Sequence, residues 1–224
     1  MSHVHTFVYD GFIALPVVTV ALVAWAARSW RFALAMVGWM LVAAALSLSG
    51  TLGRFSSMPP PMALFLVIGL IATVAVGVSP WAVRLVALPL ATLIAAQTFR
   101  ILVEVLIHES STIGLAPRQM TWQGYNFDIV TGITALALAP FARAAPMSLV
   151  VAWNCLGLTL LLWVVGIAAV SFPTPIQLLR PDSTWLTLFP YVWLPSVLVT
   201  AALLGHVVIF RKLSAMRRSA SQMT

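Results

Sequence analysis

The amino-acid sequence predicts an all-α, polytopic membrane protein with seven transmembrane helices, its N-terminus outside and its C-terminus in the cytoplasm. Hydrophobic residues make up 62% of the 224 residues and charged residues only 8%, whereas soluble domains average about 25% charged residues. The apolar runs lack the alternation of barrel strands and reach the length of about 20 residues that a helix needs to cross a bilayer. Because they fill the chain almost end to end, residues 1–224 are expected to form one transmembrane domain.

Seven apolar runs follow one another along the chain. The predicted spans cover residues 11–27, 32–52, 62–78, 83–107, 125–141, 147–170 and 186–210. The turn MPPP precedes the third span, and Ser79-Pro80 ends it, because the residue before a proline avoids the helical conformation. A long connection, residues 108–124, joins the fourth span to the fifth. Pro195 is expected to kink the seventh span.

The distribution of charge gives the orientation. With seven spans, one side of the membrane receives eight basic residues and no acid: Arg28, Arg31, Arg84, Arg143, Arg211, Lys212, Arg217 and Arg218. The other side receives three basic and three acidic residues: Arg54, Arg118, Arg180, Asp10, Glu109 and Asp182. Basic residues concentrate on the cytoplasmic side of membrane proteins, which predicts a multi-pass protein of the cytoplasmic (inner) membrane with its C-terminus in the cytoplasm and its N-terminus outside. The net charge of +7 is thus explained by topology and lipid headgroups, and nucleic acid is not an expected partner.

The most informative stretch is residues 97–132, which holds most of the acidic residues. Arg100, Glu104 and His108 recur every four residues and therefore share one stripe of a helix. A charge at mid-bilayer costs about 2.5–3.5 kcal/mol on insertion scales, so charged residues there need partners. The fifth span returns from the same side of the membrane and brings Asn126 and Asp128 to a similar depth. We therefore expect both carboxylates, those of Glu104 and Asp128, to share the guanidinium of Arg100.

Two interpretations of this cluster stay open. It could line an outward-facing pocket that binds a small polar or anionic ligand, or carries protons; the predicted ligand-binding residues are then Arg100, Glu104, His108, Asn126 and Asp128. It could also be an ion network that only pins two helices together, because a buried charge pair alone says little about function. In the first case Arg100 anchors the ligand and the two acids tune its charge. The cofactor is unknown and no metal site is predicted.

Three functions are compatible with these residues. The first is a small-ligand binding or transport-like protein that uses the outer-half cluster. The second is a membrane-embedded enzyme in which Glu104 or His108 acts as a general acid or base. The third is an accessory subunit that packs against a membrane-protein partner. The sequence leaves open whether there is any catalysis.

Other polar residues in the apolar runs are expected to stabilise helix packing. Asn154 and His206 are predicted to lie at one level near the cytoplasmic side and to hydrogen-bond across helices. His108 is then at the opposite face from His206, so the two could not share a haem iron. Lys212, the only lysine, lies at the inner membrane edge, which argues against a buried retinal linkage. In the connection of residues 108–124, Gly124 is expected to allow a sharp turn.

The segment MTWQGYNFDIVTGITA, with Arg100 and Glu104 before it and FPYVWLP after it, resembles an uncharacterised family of small bacterial multi-span membrane proteins. Members of that family share an Arg-x-x-x-Glu helix, a Gly-x-Asn-Phe-Asp-Ile segment and a late Phe-Pro-x-Val-Trp-Leu-Pro. The resemblance covers roughly residues 35–212. It implies the multi-span architecture and no particular activity.

Overall fold

In a computed structural model, which describes residues 3–222, the chain folds into α-helices joined by short turns. The described residues contain no β-strand, so the prediction of an all-α fold is confirmed. The nine α-helices of this region are α1 (His3–Ala27), α2 (Trp30–Leu48), α3 (Pro61–Val78), α4 (Val83–Ala87), α5 (Leu90–Ala96), α6 (Phe99–Thr112), α7 (Ile129–Leu138), α8 (Met147–Val170) and α9 (Val199–Ser221).

Within residues 3–222, six helical segments are long and apolar enough to cross a membrane. They are His3–Ala27, Trp30–Leu48, Pro61–Val78, Leu90–Thr112, Met147–Val170 and Leu194–Ser219. The segment Ile129–Phe141 is apolar but shorter than these. The last segment is the central one: 67% of its most apolar stretch is buried, against 22–44% in the other five. It packs against α3, α5 and α8.

Two tryptophans join the second helix to the central one. The indole Nε1 of Trp39, on α2, donates to the carbonyl oxygen of Ser196 at 2.9 Å. The indole Nε1 of Trp193 donates in the opposite direction, to the carbonyl oxygen of Met40 at 3.0 Å. An unpaired N–H in hydrocarbon costs several kcal/mol. These two hydrogen bonds avoid that cost, so both indoles can pack between helices inside the membrane.

The predicted fourth span, residues 83–107, is wrong in its limits and its continuity. The helix is interrupted at Pro89, which has no N–H to donate, and again by a turn at Gln97 that begins α6 at Phe99. It then continues to Thr112, so His108 is helical and does not begin a loop. Gly114 follows with a φ of 73°, the left-handed conformation that commonly ends helices at glycine.

The connection between α6 and α7 folds into the helical bundle. Gln119, Met120 and Thr121 are buried, and regular helix resumes only at Ile129, so the predicted start of the fifth span at residue 125 is wrong. Irregular backbone is tolerated at membrane depth where protein covers it. Gly124 makes this fold possible through close packing, since a Cβ there would lie 2.6 Å from the Cα of Gln119.

The central segment also begins later than predicted. Thr184–Thr187 is a short 3₁₀ helix, residues 188–192 form a bend and turns, and the long helical segment starts at Leu194 instead of residue 186. Its first part, Leu194–Leu198, is a π-helix that contains Pro195 and leads into α9. Wider helical turns of this kind often accompany functional sites. Pro195 therefore lies in a π-helical segment, and the kink expected there stays a prediction.

Candidate functional site

A buried ion pair joins α6 to the start of α7. The side chain of Arg100 is 2% exposed and that of Asp128 is 7% exposed. Nε of Arg100 donates to Oδ2 of Asp128 at 2.7 Å, and Nη2 donates to Oδ1 of the same carboxylate. This is the two-point arrangement in which the planar guanidinium matches a carboxylate best. The predicted contact between Arg100 and Asp128 is present.

The other side of the guanidinium faces α8 and α9. Nη1 of Arg100 lies 2.8 Å from Nε2 of His206, and both Nη atoms lie 3.4 Å from the carbonyl oxygen of Gly157. Every nitrogen of Arg100 therefore has an acceptor. A guanidinium can only donate, so Nε2 of His206 accepts and its ring proton resides on Nδ1. Nδ1 lies 2.8 Å from Oδ1 of Asn154, to which it donates.

Asn154 completes this network. Its Nδ2 donates to the backbone carbonyl oxygen of His206 at 3.1 Å, so the two residues form the pair expected between the sixth and seventh spans. Their predicted depth, away from Arg100, is wrong. The central helix begins at Leu194, which places His206 midway along the segment Leu194–Ser219 and at the level of Arg100.

Glu104 has a different partner from the one expected. Its carboxylate oxygens accept from Nδ2 of Asn126 at 2.9 and 2.8 Å, and within residues 3–222 it forms no salt bridge. Asn126 also donates to the carbonyl oxygen of Met120 at 2.9 Å, while its Oδ1 accepts from the backbone N–H of Asp128 at 2.9 Å. The expectation that two carboxylates contact one guanidinium directly is wrong, because Asp128 occupies the bidentate face and an amide holds Glu104.

His108 lies apart from this network. One helical turn beyond Glu104, its ring stacks on the indole of Trp122, with centroids 4.3 Å apart and planes 17° from parallel. Its Nδ1 is buried and without a hydrogen-bond partner. The structure therefore brings together four of the five predicted residues, while His108, also on α6, packs against Trp122 of the folded connection.

A small cavity adjoins Glu104. Its volume is about 50 Å³, and its wall includes Arg100, Glu104, Asp128 and Pro195 among mainly apolar side chains. At about 10–15 Å³ for each water molecule, it has room for about three to five. The side chain of Glu104 is only 1% exposed. Within residues 3–222 no three His, Cys, Asp or Glu side chains meet in a way that could hold a metal ion.

Gly157 determines how closely α8 approaches the network. A Cβ at this position would lie 2.7 Å from both Cε1 of His206 and Cγ2 of Thr131. We expect Gly157→Ala to lower the free energy of unfolding by about 1–3 kcal/mol, the usual cost of overpacking. Gly166→Ala on the same helix is the matched control, because nothing lies within 4 Å of its added Cβ. Denaturation of both variants in detergent micelles checks this, and equal stabilities would contradict it.

The fold and this site together define the class of protein: a helical protein with several apolar segments able to cross a membrane and a polar network buried among them. In comparisons with protein-family models, curated proteins and solved structures, nothing matches the chain. The resemblance to a family of small bacterial membrane proteins therefore stays a prediction.

Proposed function

We propose that this chain is a multi-pass protein of the bacterial cytoplasmic membrane with a transport-like role, in which the cavity beside Glu104 binds a small polar ligand. The single observation that carries the proposal is the environment of Glu104. Its carboxylate is buried, adjoins a cavity of about 50 Å³, and is held by one amide. Ionisable groups inside membrane helices typically mark ion or proton pathways.

The hydrogen bonds favour a proton as the ligand over an anion. Arg100 already gives its donors to Asp128, His206 and Gly157, so none of its nitrogens is left to anchor an anionic group. The charge of Arg100 is matched by Asp128. Glu104 is therefore the group of the cluster that can gain or lose a proton without breaking an ion pair.

The cavity limits the size of the ligand. A volume of about 50 Å³ takes a few water molecules and is far below the roughly 300–1,000 Å³ of pockets for drug-sized ligands. We infer that the carboxylic acid of Glu104 gives its proton to a water molecule in the cavity, leaving a carboxylate and a hydronium ion. The return step reverses this transfer. Asn126 donates to the carboxylate oxygens and so stabilises the ionised form.

The proposed topology has seven crossings, with the N-terminus outside. The shorter segment Ile129–Phe141 spans about 20 Å at 1.5 Å per residue, and the folded connection before it covers the outer part of the crossing. One contact supports this topology. Asp128, where the connection ends, contacts Arg100, which lies about three helical turns before the end of α6 at Thr112. Basic residues then concentrate on the cytoplasmic side, as the charge bias requires.

Infrared spectroscopy tests the proton-binding step. We expect purified protein to show the carbonyl stretch of a buried, protonated carboxylic acid that disappears as the pH is raised and shifts in D₂O. Glu104→Gln removes this band because the amide cannot be ionised. Glu109→Gln is the matched control on the same helix and keeps the band. A pH-dependent band that persists in Glu104→Gln, or is absent from the unaltered protein, contradicts the assignment of the proton to Glu104.

Proton flux tests the transport-like role separately. Proteoliposomes that enclose a pH-sensitive dye are energised with a potassium gradient and valinomycin. The unaltered protein and Glu109→Gln are expected to acidify or alkalise the lumen, while Glu104→Gln matches empty liposomes. An infrared band without flux in the unaltered protein would limit Glu104 to proton binding and overturn the transport-like role.

A further inference from the structure

A second and larger cavity lies between α1, α4, α5 and α9. It has a volume of about 430 Å³ and a mainly apolar wall. This volume falls within the range of about 300–1,000 Å³ found for pockets that hold small organic ligands. Leu22 and Trp25 of α1 belong to the wall and are 60% and 75% exposed, and Thr92 and Ala96 of α5 are exposed wall residues as well. The cavity is therefore open to the surface of the bundle, which contacts lipid in a membrane.

Three helices bring basic residues to one end of this cavity. On α1 the last wall residue is Ala26, two positions before Arg28. On α4, Arg84 directly precedes a wall residue. On α9 the last wall residue is Val208, and Lys212 lies about one helical turn further on.

Two hydrogen bonds hold these basic side chains between the helices. Nη1 of Arg84 donates to the carbonyl oxygen of Arg28, where α1 has just ended. Nζ of Lys212 donates to the carbonyl oxygen of Val86 at 2.9 Å. The first bond joins α4 to α1 and the second joins α9 to α4, so each connects two of the helices that form the cavity. Two positive charges thus lie at the same end of one apolar cavity.

Within residues 3–222, neither cation has an acidic partner, because the only salt bridge there joins Arg100 to Asp128. A guanidinium carries five N–H donors and an ammonium group three, whereas Arg84 and Lys212 each donate to one carbonyl oxygen. Arg84 is exposed and Lys212 is half-buried. Both side chains therefore keep donors and an unmatched charge for an anionic group at the membrane surface.

We propose that this cavity binds an anionic phospholipid, with one acyl chain along the apolar wall and the phosphate held by Arg84 and Lys212. Guanidinium and ammonium groups both donate strong, charge-assisted hydrogen bonds to phosphate oxygens. Basic pockets between membrane helices bind the headgroups of anionic lipids in this way. A zwitterionic phospholipid would bring its own cation beside the two basic side chains and would bind less tightly. The site does not depend on the proton chemistry assigned to Glu104.

Photocrosslinking of the unaltered protein in lipid nanodiscs tests the proposal. The probe is phosphatidylglycerol with a diazirine on one acyl chain, diluted into phosphatidylcholine, and the comparison is phosphatidylcholine with the same diazirine chain. We expect phosphatidylglycerol to label residues 19–26 and 92–96. Its half-saturation should occur at a mole fraction at least about fivefold lower than that of the comparison lipid, the contribution of one basic residue near a membrane surface.

Three results of this experiment would overturn the proposal. The first is equal labelling by the two phospholipids. The second is labelling by phosphatidylglycerol that falls on α2 and α3, which form a separate apolar cavity of about 250 Å³ with α9. The third is labelling at an equally low mole fraction by a fatty acid with the same diazirine chain, since the phosphate would then contribute nothing.

A pair of double variants tests the two cations. Arg84→Gln/Lys212→Gln removes both charges and is expected to raise the half-saturation of phosphatidylglycerol to that of phosphatidylcholine. Arg217→Gln/Arg218→Gln is the matched control, because it removes two charges from exposed positions of α9 that lie more than two helical turns beyond Val208. It should keep the preference for phosphatidylglycerol. A preference that survives in Arg84→Gln/Lys212→Gln contradicts the role of these two side chains.

A further variant tests the apolar wall while both cations stay in place. Ala96→Leu narrows the cavity and is expected to reduce the labelling of residues 19–26 severalfold. Ala152→Leu, at an exposed position of α8 outside the cavity wall, should leave labelling unchanged. Circular dichroism of each variant confirms that its helical content is kept. Full labelling in a folded Ala96→Leu variant contradicts the placement of the acyl chain in this cavity.

Discussion

The Arg100→Leu variant is expected to lose about 3–5 kcal/mol of its free energy of unfolding, the cost of leaving one member of a buried ion pair behind. Asp128 would remain 5% exposed with its charge unmatched. Nε2 of His206 and the carbonyl oxygen of Gly157 would also lose their donor. The three helices α6, α8 and α9 meet at this guanidinium, so the variant weakens the packing at the centre of the bundle.

Arg118→Leu is the matched control. Arg118 is exposed in the folded connection between α6 and α7, and exposed charges contribute little to stability. Unfolding of both variants by increasing fractions of sodium dodecyl sulfate, followed by circular dichroism, measures the difference. Equal losses in the two variants, or full stability of Arg100→Leu, would show that the Arg100 network does not hold the bundle together.

The ion pair between Arg100 and Asp128 could be predicted because it depends on local geometry. A four-residue spacing places side chains on one helical stripe, and a helix that returns from the same side of the membrane brings its first residues to a similar depth. Neither step requires the limits of the helices to be known well. The large cost of an unpaired charge in hydrocarbon then leaves few partners for Arg100.

The place of His206 could not be predicted in the same way. Its depth depends on where the last helix begins, and the run of residues 186–193 is apolar enough to look helical. In the structure Thr184–Thr187 is a 3₁₀ helix and residues 188–192 form a bend and turns. The ring of Trp185, just before this run, packs against Phe12 with centroids 6.0 Å apart. Tertiary packing therefore decides where this helix starts, and the start cannot be predicted from apolar composition alone. The same reason shortens the fifth helix, whose first predicted residues belong to the folded connection.

The partner of Glu104 follows from the geometry of hydrogen bonds more than from charge. Coulomb attraction alone favours two carboxylates around one guanidinium, but a planar guanidinium binds one carboxylate along its Nε and Nη2 edge. Asp128 takes that edge. Asn126 can then satisfy Glu104 because its own Oδ1 is fixed by the backbone N–H of Asp128. A sequence motif that includes Asn two residues before Asp is the signal that could have revealed this arrangement.

The double variant Arg100→Leu/Asp128→Leu is expected to recover most of the stability that Arg100→Leu loses. Replacing both members of a buried ion pair with apolar residues of similar size is often neutral, whereas removing one is costly. In a double-mutant cycle built with Asp128→Leu, the double variant should lose much less stability than the sum of the losses of the two single variants, which makes the two positions strongly coupled. The same detergent titrations supply all four values.

This variant also separates the structural role of the ion pair from the chemistry of Glu104. Asn126 is held by the backbone N–H of residue 128 and by the carbonyl oxygen of Met120, and neither bond involves the Asp128 carboxylate. The pH-dependent infrared band of Glu104 should therefore persist in the double variant, provided that the protein folds. A folded double variant without the band would mean that Arg100 and Asp128 are themselves part of the proton site, and an unstable one would mean that His206 and Gly157 require the guanidinium.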